Sequence, residues 1–477
     1  MAYRLHPDIA LRNDIDRNIL YVRNPVESLL PDIVRTISTP VSLLLALFDG
    51  KRPLAEVARI WSQLFFNGPP NQQVYDEIKT ILLTNLNPEL KIKDILIKAE
   101  PDAEAVEVTP DICQLIVKKS QVNLEDPRLR IPLRMLFIPT LYCTQRCYYC
   151  YSTAADPGAG EALTLERLTE IFQEAKGLGL EVIDLSGGEP LAYPHIMQLL
   201  AIFSDLGITA NLPTKYPLTQ TDIERLKEVG LKSLQISIDA IDPGLLEMTT
   251  GVKGYGGKIV ETFHKLEAAG IRLRINSVIT PRNCHDIINL THFLTTFGNI
   301  YRVAFTPYAK SRFHHDDTYY LSPRIYADLV KRAEDIMAKF PHIKFFPGEF
   351  PPASVDDDPG KREEVWNRRA LCTGGRQSFV LLPDGKVTMC EELYYHPAYI
   401  MGDLSRQSIM AMWNSEEALS ISYPNKFAVP DGPCQACPDF NACHISPGRC
   451  VREAIKLYGS ERHYYPDPRC PQAPPEK

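Results

Sequence analysis

Between residues 131 and about 345 the sequence alternates strand-like and helix-like segments six times over. The strand-like runs are 133–140, 181–188, 208–214, 231–239, 272–280 and 301–308, each short and rich in aliphatic or β-branched residues. The segments between and after them, 163–179, 195–207, 219–230, 255–270, 284–298 and 322–340, have helical spacing, and several end in Gly. This regularity constrains the fold more than any other feature. Strands separated by helix-length connections pair in parallel, and a parallel sheet needs helices over its face. Six units predict an α/β fold, and its chemistry belongs at the carboxyl ends of the strands.

The first such end carries "LYCTQRCYYCYS" (141–152), with Cys143, Cys147 and Cys150 in a C-x3-C-x2-C pattern. The chain has 12 cysteines; only Cys113 and Cys284 stand alone, and seven crowd the last quarter. The opening "MAYRLHPDIALRNDIDRN" is charged throughout and has no apolar signal core, and the longest apolar run, "VSLLLALF" (41–48), is too short to span a bilayer. The expected setting is the cytoplasm, without a membrane partner, where thiols stay reduced and clustered cysteines point to metal rather than disulfides. Net charge is −7, and no long basic run argues for nucleic acid. Isolated Cys113 and Cys284 read as buried apolar residues.

Four thiolates saturate a zinc ion or an iron–sulfur cluster, whereas three leave one iron of a [4Fe–4S] cluster open to a small ligand. A zinc site completed by a remote His is the alternative by spacing alone. Two further motifs lie in register. "SGGEP" (186–190) ends the second strand and offers paired glycines and a carboxylate; "SID" (237–239) ends the fourth. Together these residues resemble the radical S-adenosylmethionine (radical SAM) superfamily. The resemblance implies a partial (β/α)6 barrel and a [4Fe–4S] cluster held by Cys143, Cys147 and Cys150, with S-adenosylmethionine (SAM) filling the open position. It implies that Gly187, Gly188 and Glu189 hold the SAM amino group, that Ser237 and Asp239 meet its ribose and carboxylate, and that Tyr149 flanks its adenine. Thr214 keeps the first position of the Thr-Asn-Gly that relatives carry after the third strand; Lys215 and Tyr216 depart from it. Asn276 on the fifth strand could touch the cofactor or be a satisfied buried residue. The implied chemistry is one-electron cleavage of SAM to a radical that abstracts a substrate hydrogen, so no catalytic acid–base pair is expected by motif.

The tail reads Cys372-x12-Gly385-x4-Cys390, a gap, Cys434-x2-Cys437-x5-Cys443-x6-Cys450, a gap, and Cys470. It resembles the SPASM extension of peptide-modifying radical SAM enzymes, departing from it in x6 for x3 before Cys450. The resemblance implies two auxiliary Fe–S clusters, one held by Cys434, Cys437, Cys443 and Cys470, the other by Cys372, Cys390 and Cys450 with a fourth ligand not found nearby. Structural zinc is the alternative reading of such spacings.

Residues 1–100 contain strand-like "YRLHPDIALRND" and "RNILYVRN", then three helical segments, with Ser38 or Thr39 as cap, Pro40 in the first turn and Gly50 as a stop. This is winged-helix material, and "LFDGKRPLAEVA" resembles the small peptide chaperone of pyrroloquinoline-quinone biosynthesis, a precursor-peptide recognition element. The expected organisation is therefore a winged-helix-like domain (1–100), a linker (101–130), the barrel (131–345), and an Fe–S-rich SPASM domain (346–477) preceded by an acidic, Pro-containing stretch at 350–364. The whole resemblance implies a maturase that crosslinks a ribosomally made precursor peptide through a thioether or carbon–carbon bond. It would take the peptide by its leader, by strand addition to the small sheet, and electrons from a low-potential donor such as flavodoxin or ferredoxin. Formylglycine formation on a sulfatase-type protein and a non-enzymatic Fe–S electron carrier are the alternatives. The first leaves the leader-binding domain unexplained, the second leaves "SGGEP" beside the three cysteines unexplained.

Overall fold

The computed structural model describes residues 2–28, 30–66, 68–84, 95–99, 112–117, 124, 126–152, 162–346, 359–369, 371–394, 396–430, 432–445 and 449–474. By its contacts the chain divides into two units, Met1–Ile131 and Pro132–Lys477.

The first unit comprises β1 (Ala2–Leu5), β2 (Ile9–Asn13), β3 (Asn18–Val22), β4 (Val34–Ile37), α1 (Thr39–Ala46), β5 (Asp49–Pro53), α2 (Leu54–Phe65), α3 (Gln72–Thr84) and β6 (Leu96–Lys98). β2, β3 and β4 form an antiparallel sheet in that order, and β1 pairs with β5 and β6. Leu20, Ile37, Leu44, Val57, Trp61 and Ile78 share one apolar core, so helices and sheets bury each other's faces. α1 has Ser38 at its N-cap and proline in its first turn, but it ends at Leu47 rather than at Gly50. Gly50 has φ +82° and lies in β5 against β1, so its left-handed backbone serves a strand and not a helix stop. The segment expected as a linker contributes to this unit. Asp14 and Arg17, both fully buried, pair at 3.0 Å; Arg17 donates to the carbonyls of Asp126 and Arg128, and Asp14 accepts from Arg130 N and Ile131 N at 3.0 and 2.9 Å.

The second unit opens with parallel strands β7 (Arg134–Thr140), β8 (Val182–Gly187), β9 (Thr209–Asn211), β10 (Pro213–Thr214), β11 (Ser233–Ser237), β12 (Arg272–Ile279), β13 (Ile300–Pro307) and β14 (Ile343–Phe345). The helices alternating with them are α4 (Leu165–Gly177), α5 (Ile196–Asp205), α6 (Gln220–Glu228), α7 (Pro243–Thr250), α8 (Tyr255–Ala268), α9 (Ile287–Leu294) and α10 (Pro323–Lys339). β9 and β10 are one expected strand, interrupted at buried Leu212, and each half pairs into a different sheet. That break lets the series curve as a partial barrel. Buried Phe137, Leu199, Ile236, Phe263 and Phe305 belong to the core under the helices.

α7 was not separately legible in the sequence; eight residues are too few for a clear period. Its ends are nonetheless well marked: Asp242 accepts from Leu245 N, Pro243 opens the helix and Gly251 closes it with φ +70°. In the tail, β15 (Ser378–Leu381) pairs in parallel with β7, and β16 (Lys386–Thr388) and β17 (Ile400–Asp403) extend the same sheet. Of the expected separating stretch, 350–358 lies outside the described residues, and the rest belongs to helix α11 (Pro359–Arg368), supported by a Glu364–Arg368 ion pair at 2.8 Å. Among the described residues no helix is long and apolar enough to cross a membrane.

Candidate cluster and cofactor sites

The three-cysteine loop leaves β7 at Thr140 and is pinned from several sides. Thr140 Oγ1 accepts from Tyr142 N, the α7 carbonyl of Thr250 accepts from Arg146 N at 2.8 Å, and Cys147 O accepts from Cys150 N. The β8 end lies directly against the loop: Gly188 N donates to Thr140 O at 3.0 Å and Glu189 N to Tyr142 O at 2.8 Å. A β-carbon on Gly187 would meet Thr140 O at 2.5 Å, and one on Gly188 would meet Tyr142 O at 2.1 Å. Gly187 also has φ +111°. The paired glycines thus admit the cysteine loop's own backbone.

Glu189 is buried and accepts from Thr214 Oγ1 (2.9 Å), Lys215 N (3.0 Å) and Leu191 N (3.1 Å). Burial pushes its carboxyl above the usual range, against the pull of these donors. At the β11 end, buried Asp239 takes Val278 N on one oxygen (2.8 Å) and the Tyr149 hydroxyl and Lys215 Nζ on the other. Tyr149's ring lies under Lys215, with Nζ 5.1 Å from its centroid. Lys215 Nζ is also 3.8 Å from Cys147 Sγ. Asn276 stands beside Ser237 in the β11–β12 ladder; it is exposed, and its carbonyl accepts from Ile238 N at 3.1 Å. Ser237 is half-buried, 3.5 Å from Gln235 Nε2.

Thus Tyr149, Glu189, Thr214 and Asp239 form one connected network around Cys147, with Ser237 at the end of β11 and Asn276 beside it within β12. The residue that joins it, Lys215, had no assigned part in the sequence reading. Its signal was there: a lysine directly after a short parallel strand.

The thiols fall into three groups. Burial, then the neighbouring Glu189, Cys147 and Cys150, push Cys143 up to about 11. In the tail, Cys390 goes up to about 12 and Cys450 to about 11, by burial first, and each feels Cys372. Cys434 and Cys443 go up to about 11 by burial, then by Cys470, with Cys437 adding to the first and Cys434 to the second. Cys434, Cys437, Cys443 and Cys470 line one cavity of about 290 Å³. Among the described residues no three His, Cys, Asp or Glu side chains converge as ligands of a single ion. Four thiols spread around a cavity suit a polynuclear cluster, whose iron would supply the charge that deprotonates them. Cys284 is partly buried and packs against the barrel core, and the Cys113 side chain lies outside the described residues.

One half-buried carboxylate links two of these sites. Glu391, next to Cys390, accepts from Ser186 Oγ (2.7 Å) and from the Tyr151 hydroxyl (3.0 Å), one residue beyond Cys150. No pattern in the sequence pointed to it, because its partners lie more than 200 positions away.

Comparison with known proteins agrees with this architecture. Residues 137–294 match the model of the radical SAM superfamily, and residues 372–438 match SPASM, an iron–sulfur cluster-binding domain. A PqqA peptide cyclase of Ruegeria pomeroyi is 26% identical over 360 residues, covering 73% of this chain and 90% of that protein. One of Rhizobium meliloti is 25% identical over 359 residues, covering 73% and 89%. Among solved structures, Streptococcus suis SuiB bound to S-adenosylmethionine superposes with a TM-score of 0.62 at 17% identity, covering 96% of this chain and 98% of SuiB. SuiB bound to the precursor peptide SuiA gives 0.63 at 16%, with the same coverage.

Proposed function

We propose that this chain, a radical SAM enzyme with a SPASM extension, crosslinks a ribosomally made precursor peptide. The observation that carries the reading is the likeness to PqqA peptide cyclases over 90% of their length. The two domains imply a SAM-binding [4Fe–4S] cluster and auxiliary Fe–S clusters. When bound, the SAM cluster supplies a single electron for cleavage of SAM and hence the oxidising power for hydrogen abstraction.

The protein's own part is to hold, orient and shield. Cys143, Cys147 and Cys150 are the proposed cluster ligands. Glu189, backed by Thr214 and two backbone N–H groups, presents a fixed carboxylate toward the SAM amino group. Gly187 and Gly188 set its distance from the cysteine loop. Ser237, Asp239 and Asn276 are proposed for the remaining polar edges of SAM, and Tyr149 supplies an apolar face. Cys434, Cys437, Cys443 and Cys470 are assigned to one auxiliary cluster, and Cys372, Cys390 and Cys450 to the other. We assign the leader to the first unit, where β4 is the more exposed edge of the β2–β3–β4 sheet; strand addition there would supply main-chain affinity. A low-potential donor such as flavodoxin or ferredoxin is the proposed electron source, the cytoplasm the proposed location, and the proposed domains are 1–100, 131–345 and 346–477, with residues 126–131 of the connecting segment packed onto the first.

The test is anaerobic reconstitution with iron and sulfide, then SAM and reductant. Release of 5′-deoxyadenosine, and with the precursor peptide loss of a hydrogen pair from its mass, is expected. Release of 5′-deoxyadenosine with an unaltered peptide would reject the crosslinking assignment; no SAM cleavage would reject the enzyme reading.

A further inference from the structure

Among the described residues, Lys215 is the cation whose side chain bonds into the network around Cys147. Its backbone is held at both ends: its N donates to Glu189 and its carbonyl accepts from the Tyr255 hydroxyl at 2.7 Å. The side chain turns inward, only 12% exposed, and reaches three acceptors: Asp239 Oδ2, the Tyr149 hydroxyl and, at 3.8 Å, Cys147 Sγ. An ammonium has three donors, and these partners can engage all three. The Tyr149 ring below adds a cation–π contact. Such a site holds a fixed positive charge against one thiolate ligand of the proposed cluster.

We propose that Lys215 sets the reduction potential of the SAM cluster, raising it by placing a charged N–H donor on the Cys147 sulfur. The inference rests on the reading that Cys143, Cys147 and Cys150 hold a [4Fe–4S] cluster. Reduction adds one negative charge to the cluster, and a cation at this distance stabilises the reduced form over the oxidised. Hydrogen bonds to cluster sulfurs act in the same direction. Asp239 is the counterweight: it holds the ammonium in place and cancels part of its field. Lys215 is thus a positioning and tuning residue.

The experiment is a redox titration of the reconstituted full-length enzyme without SAM, followed by electron paramagnetic resonance. The cluster in question is the signal that shifts when SAM is afterwards added. Lys215→Met should cut the ratio of reduced to oxidised cluster about tenfold at a fixed applied potential, a fall of about 59 mV for one electron. Lys215→Arg should keep most of the wild-type value. Asp239→Asn, which leaves the ammonium without its counter-charge, should move the midpoint upward and carries the test alone if Lys215→Met does not load iron. An unchanged midpoint in Lys215→Met with weakened SAM binding would overturn the proposal and make Lys215 a SAM contact only. An Asp239→Asn midpoint that is unchanged or lower would also overturn it. Absence of any SAM-responsive signal in the unsubstituted enzyme would instead overturn the cluster reading on which the proposal stands.

Discussion

Gly188 sits so close to the cysteine loop that a β-carbon added to it would lie 2.1 Å from the Tyr142 carbonyl oxygen. Backbone cannot yield as a flexible side chain can, so the loop or the β8 end must move. Gly188→Ala should therefore misplace Cys143 and Glu189 together. We expect loss of SAM cleavage and of one cluster's worth of iron, with a stability cost of about 1–3 kcal/mol typical of overpacking. Iron and sulfide analysis beside a thermal melt checks this; full iron with full SAM cleavage would contradict it.

Cys147→Ala should abolish SAM cleavage and leave the tail iron in place. Cys147 belongs to the β7 loop, whereas the seven tail cysteines form their own two groups. Residual iron with auxiliary-cluster absorption, and no 5′-deoxyadenosine, is the expected result. Loss of all iron would mean that the three sites do not load independently.

The first unit should need its C-terminal segment. In a fragment ending at residue 100, buried Arg17 would lose the Asp126 and Arg128 carbonyls, and buried Asp14 would lose two N–H donors. Leaving a buried donor or acceptor without its partner typically costs about 1–3 kcal/mol. The fragment 1–131 should therefore resist urea better than 1–100, and it should bind a synthetic leader peptide. Equal urea midpoints would contradict the first expectation, and absence of leader binding by 1–131 the second.

Acid should weaken the second unit through two facing histidines. His396 and His463 have ring centroids 4.8 Å apart, and Tyr399 OH lies 2.8 Å from His463 Nδ1. Burial holds His463 down to about 4, with His396 and Arg449 adding to it, and burial likewise lowers His396. An unfolded histidine titrates near about 6.5. Between about 6.5 and 4 the unfolded chain binds more protons than the folded one, so stability present at pH 7 is lost as pH falls through that window. Melting temperatures at pH 7.5 and 5 should differ by less in His463→Gln than in the unsubstituted protein. An equal or greater difference in the variant would contradict the assignment.

The cysteine spacings, the six-fold alternation and the motifs at strand ends were legible in the amino-acid sequence because they are local. A strand followed by a loop of fixed length puts its first loop residues at the sheet's carboxyl edge wherever the sheet goes. The capping signals that bound α7, Asp242, Pro243 and Gly251, are local in the same way, although α7 was too short to stand out. Tertiary structure alone decided what is remote. It placed the β7 loop against Gly187 and Gly188, so that these glycines serve a backbone contact, and it broke one strand at Leu212 to feed two sheets. It gave Gly50 to a strand, joined β15 to β7 across more than 200 residues, and drew residues 126–131 onto Asp14 and Arg17. It also brought Lys215 to Cys147 and Glu391 to Tyr151. None of these pairs shares a turn or a helical repeat. Their proximity follows from how separate elements pack, and a charge or hydroxyl in the chain carries no mark of which distant partner packing will supply.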